Sequence, residues 1–205
     1  MSQPFLPYGR QHVSEADMAA VRRVLEGDYL TTGPEVPAFE ADFAAAVAAP
    51  HAVACNSATA ALHLALDALG VSAGDVCIAP SITFLATANA ARYCGADVVF
   101  ADVDPETGLM TPDTLKAALK RAGGRARAVL PVHLGGSICD MAAIAQLARQ
   151  EGLFVVEDAC HALGGRDASG DPVGACALSD AATFSFHPVK TLTSGEGGMV
   201  TTRSA

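Results

Sequence analysis

From His51 to Asp158 five short aliphatic runs, HAVAC, DVCIAP, DVVFADV, ARAVLPV and LFVVED, alternate with four segments of helical periodicity, SATAALHLALDAL, FLATANAARY, PDTLKAALKR and DMAAIAQLARQ. Runs that stay apolar without a polar alternate must be covered on both faces, and strands joined by helix-length crossovers run parallel. The fold class is therefore α/β, a mostly parallel sheet between helical layers. Residues 1–50 read as a helical segment ahead of it. Ser14 stands before Glu15-Ala16-Asp17, and Met18, Val21, Val24 and Leu25 recur at helical spacing, which predicts a capped helix to about Gly27. After the turn chemistry of Gly33-Pro34, Phe39, Phe43 and Val47 mark a second helix. Past Asp158, glycine-rich turns lead to ATFSFHP and MVTT, two further strands with Lys190 between them.

A chain of 205 residues that is 51% hydrophobic has the apolar mass for one large domain, which excludes a disordered tail. The 13 Lys+Arg against 22 Asp+Glu give a formal charge of −9, which repels a phosphate backbone and excludes nucleic acid as the expected partner. Six cysteines without a CxxC pair read as reduced, mostly buried thiols. Met1-Ser2-Gln3-Pro4 lacks a basic leader, and Asn56, His63 and Asp67 interrupt the most apolar stretches. No membrane is expected, and the chain is placed in the cytoplasm.

Ligands of an open α/β sheet bind at the carboxyl ends of its strands, so the polar residues just after each run are the site candidates. Asn56-Ser57-Ala58-Thr59 opens a helix after the first run, where free N–H groups and the helix dipole suit a phosphate; a plain N-cap at Asn56 or Ser57 is the simpler alternative. Glu157 and Asp158 close LFVVED. Either carboxylate could cap a turn or face a cationic ligand, and alternation sends Glu157 to the opposite side from Asp158. Lys190 lies in an apolar, glycine-rich stretch past a strand end, where an amine is a surface charge or a nucleophile and base. Phe84, read as the first residue of the second helical pattern, is a stacking face or a core aromatic. A phosphate seat, an acid, an aromatic face and an amine at one sheet edge fit pyridoxal 5′-phosphate, with Ser185 adding a hydroxyl to the phosphate.

The segments LTTGPEVPAFE, NSATAALHLAL, PSITFLATANA, DVDPETG, PVHLGG, EDACHALGG and TFSFHPVKTLTSGEGGMV, in this order, resemble the DegT/DnrJ/EryC1/StrS family of sugar aminotransferases over nearly the whole chain. The resemblance implies the three-layer large domain of the fold type I pyridoxal-phosphate transferases across residues 1–205. Lys190 would hold the cofactor and shuttle a proton, Asp158 would pair with the pyridine nitrogen beside His161, Phe84 would stack on the ring, and Ala58, Thr59 and Ser185 would bind the phosphate. Tyr8 and the loop of Asp28, Tyr29, Leu30 and Thr31 match segments that contact a sugar nucleotide. L-Glutamate would be the amino donor. FSFHPVK, TSGEGGMV and PYGRQHVSEAD further resemble the subgroup that aminates a UDP-linked 4-keto-6-deoxy-N-acetylhexosamine in pseudaminic acid synthesis. Relatives with histidine in place of the lysine dehydrate sugars, so Lys190 points to transamination. Members of the family are homodimers, and they continue beyond the position matching Ala205 into a smaller C-terminal domain, which is expected to be absent here.

Four other readings stand beside this one. A metal-dependent hydrolase would use Asp158, His161, His133 and His187, although their spacing matches no compact metal signature and no metal is expected. Cys160 beside His161 is a nucleophile candidate of poor geometry, because sequence neighbours seldom face one another. A dinucleotide-binding module lacks its GxGxxG and its GK[ST]. A catalytically incomplete cofactor-binding fragment or a regulatory relative is the non-enzyme alternative.

Overall fold

The computed structural model describes residue 5 and residues 9–204; Tyr8 lies outside them. Helix α1 (Glu15–Glu26) begins at Ser14, whose hydroxyl accepts from the Asp17 N–H while the Asp17 carboxylate accepts in return from the Ser14 N–H at 2.7 Å. It ends at Gly27, as its periodicity predicts. None of its residues is buried; Met18, Val21 and Leu25 form an exposed apolar stripe. Helix α2 (Glu35–Ala46) instead packs on the sheet.

The strands are β1 (His51–Cys55), β2 (Val76–Pro80), β3 (Asp97–Ala101), β4 (Ala126–Val129), β5 (Phe154–Asp158), β6 (Ala181–Ser185) and β7 (Gly198–Thr202), in the order β1-β7-β6-β5-β4-β2-β3. Between them lie α3 (Ala58–Ala68), α4 (Leu85–Tyr93), α5 (Pro112–Ala122) and α6 (Met141–Glu151). Every described pairing is parallel except those of β7, which runs antiparallel to both β1 and β6. No helix separates β6 from β7, so the chain turns back through a loop and the strand direction reverses. The expected burial on both faces holds for β2, while the edge strands β1 and β3 are only half covered. The Glu40 carboxylate takes the Ala54 N–H at 2.8 Å, satisfying a donor that an edge strand leaves unpaired.

Alternation along the strands sorts the core into two faces. Ile78, Val129 and Val155 meet α5 and α6 through Leu115 and Ile144, and on the same side Phe43 of α2 stacks edge to face on Phe184 and Phe186 with ring centroids 5.0 and 5.5 Å apart. Cys77, Leu130, Val156 and Ala181 face Leu62 and Leu66 of α3 and Ala86 and Ala90 of α4. The result is three layers, with Asp158 and Ser185 in phase with the α3–α4 face and Glu157 with the other. Helices α5 and α6 stop at Gly123 and Gly152, whose φ of +63° and +68° is a backbone region that costs other residues energy.

Candidate active site

The carboxyl ends of β1, β2, β4, β5 and β6 open into a cleft of about 570 Å3. At the end of β1, Ser57 caps α3 and its hydroxyl accepts from the Ala60 N–H at 3.2 Å, while its carbonyl accepts from the Ala61 N–H. Among the described residues this leaves the first-turn N–H groups of Ala58 and Thr59 without a protein acceptor, and both residues line the cleft. Such a helix start attracts an anion through its free donors and its dipole. The N-cap expected at Asn56 or Ser57 is Ser57, and the cap coexists with the anion seat. Antiparallel pairing brings β7 alongside: Gly198 is in register with Cys55 on one side and Ser185 on the other. A Cβ on Gly198 would stand 2.7 Å from the Ala58 nitrogen and closer still to the Ser57 carbonyl, so only glycine lets β7 approach the start of α3 this closely.

Asp158 ends β5 with 5% of its surface exposed. Its Oδ2 accepts from the Thr87 hydroxyl at 2.7 Å and its Oδ1 from the Cys160 N–H at 3.3 Å. These partners are neutral, so a buried carboxylate faces the cleft with capacity left on each oxygen for a cationic ligand. Glu157 points to the opposite face, where its carboxylate receives the His133 Nε2 at 2.7 Å and the Ser179 hydroxyl. The Nδ1 of His133 accepts from the Cys139 N–H, so the ring proton sits on Nε2.

Phe84 stands at the mouth with 75% of its surface exposed. It is the N-cap of α4 with an extended backbone, φ −70° and ψ 142°, and not the first helical residue that the sequence predicts. Its ring is exposed and lines the cleft. Lys190 lies on the loop between β6 and β7, which is closed at its base by the Phe186 N–H bonded to the Gly197 carbonyl. His161 lines the same cleft and accepts the Gly135 N–H on Nδ1. Desolvation and then the Lys190 cation hold its imidazole below the usual value, with Asp158 pulling the other way. Burial first, then the charge and hydrogen bond of Asp158, push the Cys160 thiol far up, against a weaker pull from Lys190. The nucleophilic thiolate considered for Cys160 is therefore disfavoured.

The cleft thus collects Ala58, Thr59, Phe84, Asp158, His161, Ser185 and Lys190. It does not include the loop of Asp28, Tyr29, Leu30 and Thr31, which is exposed and away from the cleft lining. The histidines considered for a metal are split: His133 is buried against Glu157, while His161 and His187 line the cleft. Among the described residues no three His, Cys, Asp or Glu side chains gather at metal-binding spacing, and no helix is long and apolar enough to cross a membrane. The sequence reading missed Thr83, Thr87 and the Gly198 contact. For Thr87, a small polar residue on the covered side of an alanine-rich helix was the available signal.

The family model described as the DegT/DnrJ/EryC1/StrS aminotransferase family matches residues 11–205. The spore coat polysaccharide biosynthesis protein SpsC of Bacillus subtilis (strain 168) is 46% identical over 198 residues, covering 97% of this chain and 49% of SpsC. Among solved structures, the PLP-form of Spr1654 from Streptococcus pneumoniae, described as a sugar aminotransferase, matches at 31% identity with a TM-score of 0.91, over 98% of this chain and 53% of that one. DesV from S. venezuelae, in complex with a ketimine intermediate, matches at 41% identity with a TM-score of 0.85, over 91% of this chain and 49% of that one. The chain spans about half the length of these relatives.

Proposed function

The chain belongs to the DegT/DnrJ/EryC1/StrS aminotransferase family, and from that premise we propose that it binds pyridoxal 5′-phosphate in this cleft and uses Lys190 to move the amino group of L-glutamate to a nucleotide-linked keto sugar. The observation that carries this reading is the convergence on one cleft of an uncommitted helix start, a buried carboxylate with neutral partners, an exposed aromatic ring and a lysine. These residues fit the cofactor's parts. The start of α3 with Ser185 suits the phosphate, Asp158 the protonated pyridine nitrogen, Phe84 the ring face and Lys190 the aldehyde. When bound, the cofactor supplies an electron sink for the carbon that bears the transferred nitrogen.

The protein's own residues supply the rest. The N–H groups of Ala58 and Thr59 hold the phosphate against the positive end of α3. Asp158, held by the Thr87 hydroxyl and the Cys160 N–H, would be the carboxylate that pairs with the ring nitrogen and favours its protonated form. Lys190 Nζ, on the cleft lining, would be the amine that holds the cofactor and, when free, the group that takes up and returns a proton there, one amine serving as base and then as acid. His161 Nδ1 already accepts the Gly135 N–H, so the ring is oriented at the cleft wall.

The keto sugar is proposed to be a UDP-linked 4-keto-6-deoxy-N-acetylhexosamine of the pseudaminic acid route, supported by FSFHPVK and TSGEGGMV and, for the sugar class, by the polysaccharide role in the name of SpsC. Residues 1–205 are proposed as the cofactor-binding large domain of a cytoplasmic homodimer. The exposed Ile82 and Leu85, on either side of Phe84 in the chain, support a partner surface beside the cleft. Incubation with pyridoxal 5′-phosphate, borohydride reduction and peptide mass spectrometry test the reading. An adduct is expected on Lys190 and none in Lys190→Ala, whose transamination falls to trace. A protein that carries no adduct at this side chain refutes the proposal. An adduct without glutamate-dependent turnover selects the catalytically incomplete fragment or regulatory relative instead.

A further inference from the structure

Behind the cleft wall, a second hydroxyl extends the contact to Asp158. Thr87 of α4 is fully buried and its hydroxyl lies 2.7 Å from Asp158 Oδ2, across 71 residues of sequence. The Thr83 hydroxyl, on the cleft lining, is 2.8 Å from that of Thr87. A hydroxyl has one hydrogen, and that of Thr87 goes to the carboxylate. The bond between the two threonines therefore runs from the Thr83 O–H to Thr87 Oγ1, and Thr83 presents only lone pairs to the cleft. The geometry points to Thr87 as a positioning residue, with Thr83 behind it, that sets the rotamer and polarity of Asp158 for a cationic ring nitrogen.

Three observations favour this over a merely satisfied core threonine. Thr87 bonds the oxygen that the Cys160 N–H leaves free, so Asp158 is gripped at both oxygens and its plane is fixed. Phe84, three residues earlier, opens the same helix, and its carbonyl accepts the Thr87 N–H at 3.1 Å. One helix turn thus sets both the aromatic face and the carboxylate that would meet the ring's edge. The backbone of Asp158 is held as well, by Pro131 and His133, which leaves the side-chain torsions as the freedom for Thr87 to remove. A hydrogen bond to an ionised group is among the strong ones, and mispositioning beside a reacting ring is costly.

This inference rests on the cofactor reading above, and the test separates the two. Affinity for pyridoxal 5′-phosphate is measured by absorbance titration, together with the thermal midpoint of the cofactor-free protein, for wild type, Thr87→Val, Thr87→Ser, Asp158→Ala and the Asp158→Ala/Thr87→Val double variant. Thr87→Val is expected to weaken binding about tenfold to a hundredfold, and Thr87→Ser to restore it to within about threefold. Because Thr87 acts through Asp158, Thr87→Val should change affinity by less than about twofold in the Asp158→Ala background. If Thr87→Val does not fold, Thr83→Val carries the test, with a loss of about threefold expected in the wild-type background and none with Asp158→Ala. Wild type that binds while a folded threonine variant binds equally well, or an undiminished loss in the Asp158→Ala background, overturns the positioning role alone. Wild type without cofactor on Lys190 overturns both readings.

Discussion

Replacing Gly198 by alanine adds one methyl group at the point where β7 meets the start of α3. An ordinary van der Waals contact begins near 3.4 Å, whereas the new Cβ would lie 2.7 Å from the Ala58 nitrogen, so that atom must retreat by 3.4 − 2.7, about 0.7 Å, and the Ser57 carbonyl by more. Both are backbone atoms of a helix start, without the freedom of a side-chain tip. Gly198 is also held on both sides, by its register with Cys55 and Ser185, so β7 is poorly placed to yield instead. Overpacking of this kind costs about 1–3 kcal/mol of stability, and the lack of a flexible neighbour argues for the upper half of that range. A shift of this size lengthens hydrogen bonds from the Ala58 and Thr59 N–H groups beyond useful range. Loss of one charge-assisted bond is about 1.5–3 kcal/mol, or roughly tenfold to a hundredfold in affinity. Urea denaturation of the cofactor-free protein and titration with pyridoxal 5′-phosphate measure the two effects separately. A Gly198→Ala protein with the wild-type urea midpoint and wild-type cofactor affinity refutes the close-approach reasoning and the assignment of the α3 start as the phosphate seat.

The buried pair on the other face of β5 gives a stability prediction: His133→Ala deprives the Glu157 carboxylate of its Nε2 donor and the Cys139 N–H of its acceptor, and should cost about 2–3 kcal/mol. A loss below about 1 kcal/mol in urea denaturation contradicts it. His161 should titrate below the ordinary imidazole value of 6.5 when followed by NMR, because folding disfavours its charged form. The sign follows: a depressed histidine pKa adds no penalty above the unfolded value, and destabilisation appears as pH falls below about 6.5 toward the folded pKa. Lys190→Ala should raise the His161 midpoint, since a repelling cation is removed; a midpoint at or above 6.5 in the wild type, or no rise in the variant, would be the contrary result.

What the sequence determined by itself was local and periodic. Aliphatic runs between amphipathic segments specify strands and helices, Ser14 and Gly27 delimit α1, and two-residue alternation assigns Asp158 and Glu157 to opposite faces, because each of these depends only on residues within a few positions of one another. The same logic exposes Ala58, Thr59, Asp158, Ser185 and Lys190 as candidates, since ligand-facing residues of an open sheet follow its strands. Tertiary structure decided the rest. The reversal of β7 depends on where its hydrogen-bond partners lie, and a glycine-rich loop around Lys190 carries no sign of strand direction. Thr87 meets Asp158, Glu157 meets His133 and Gly198 meets Ser57 only after the strand order has folded distant segments together. The stripe of Met18, Val21 and Leu25 makes the same point in reverse, for amphipathic spacing forms the helix but does not name the surface it packs against. Side-chain chemistry specifies what each residue can do, and the order of the strands selects the partner it does it with.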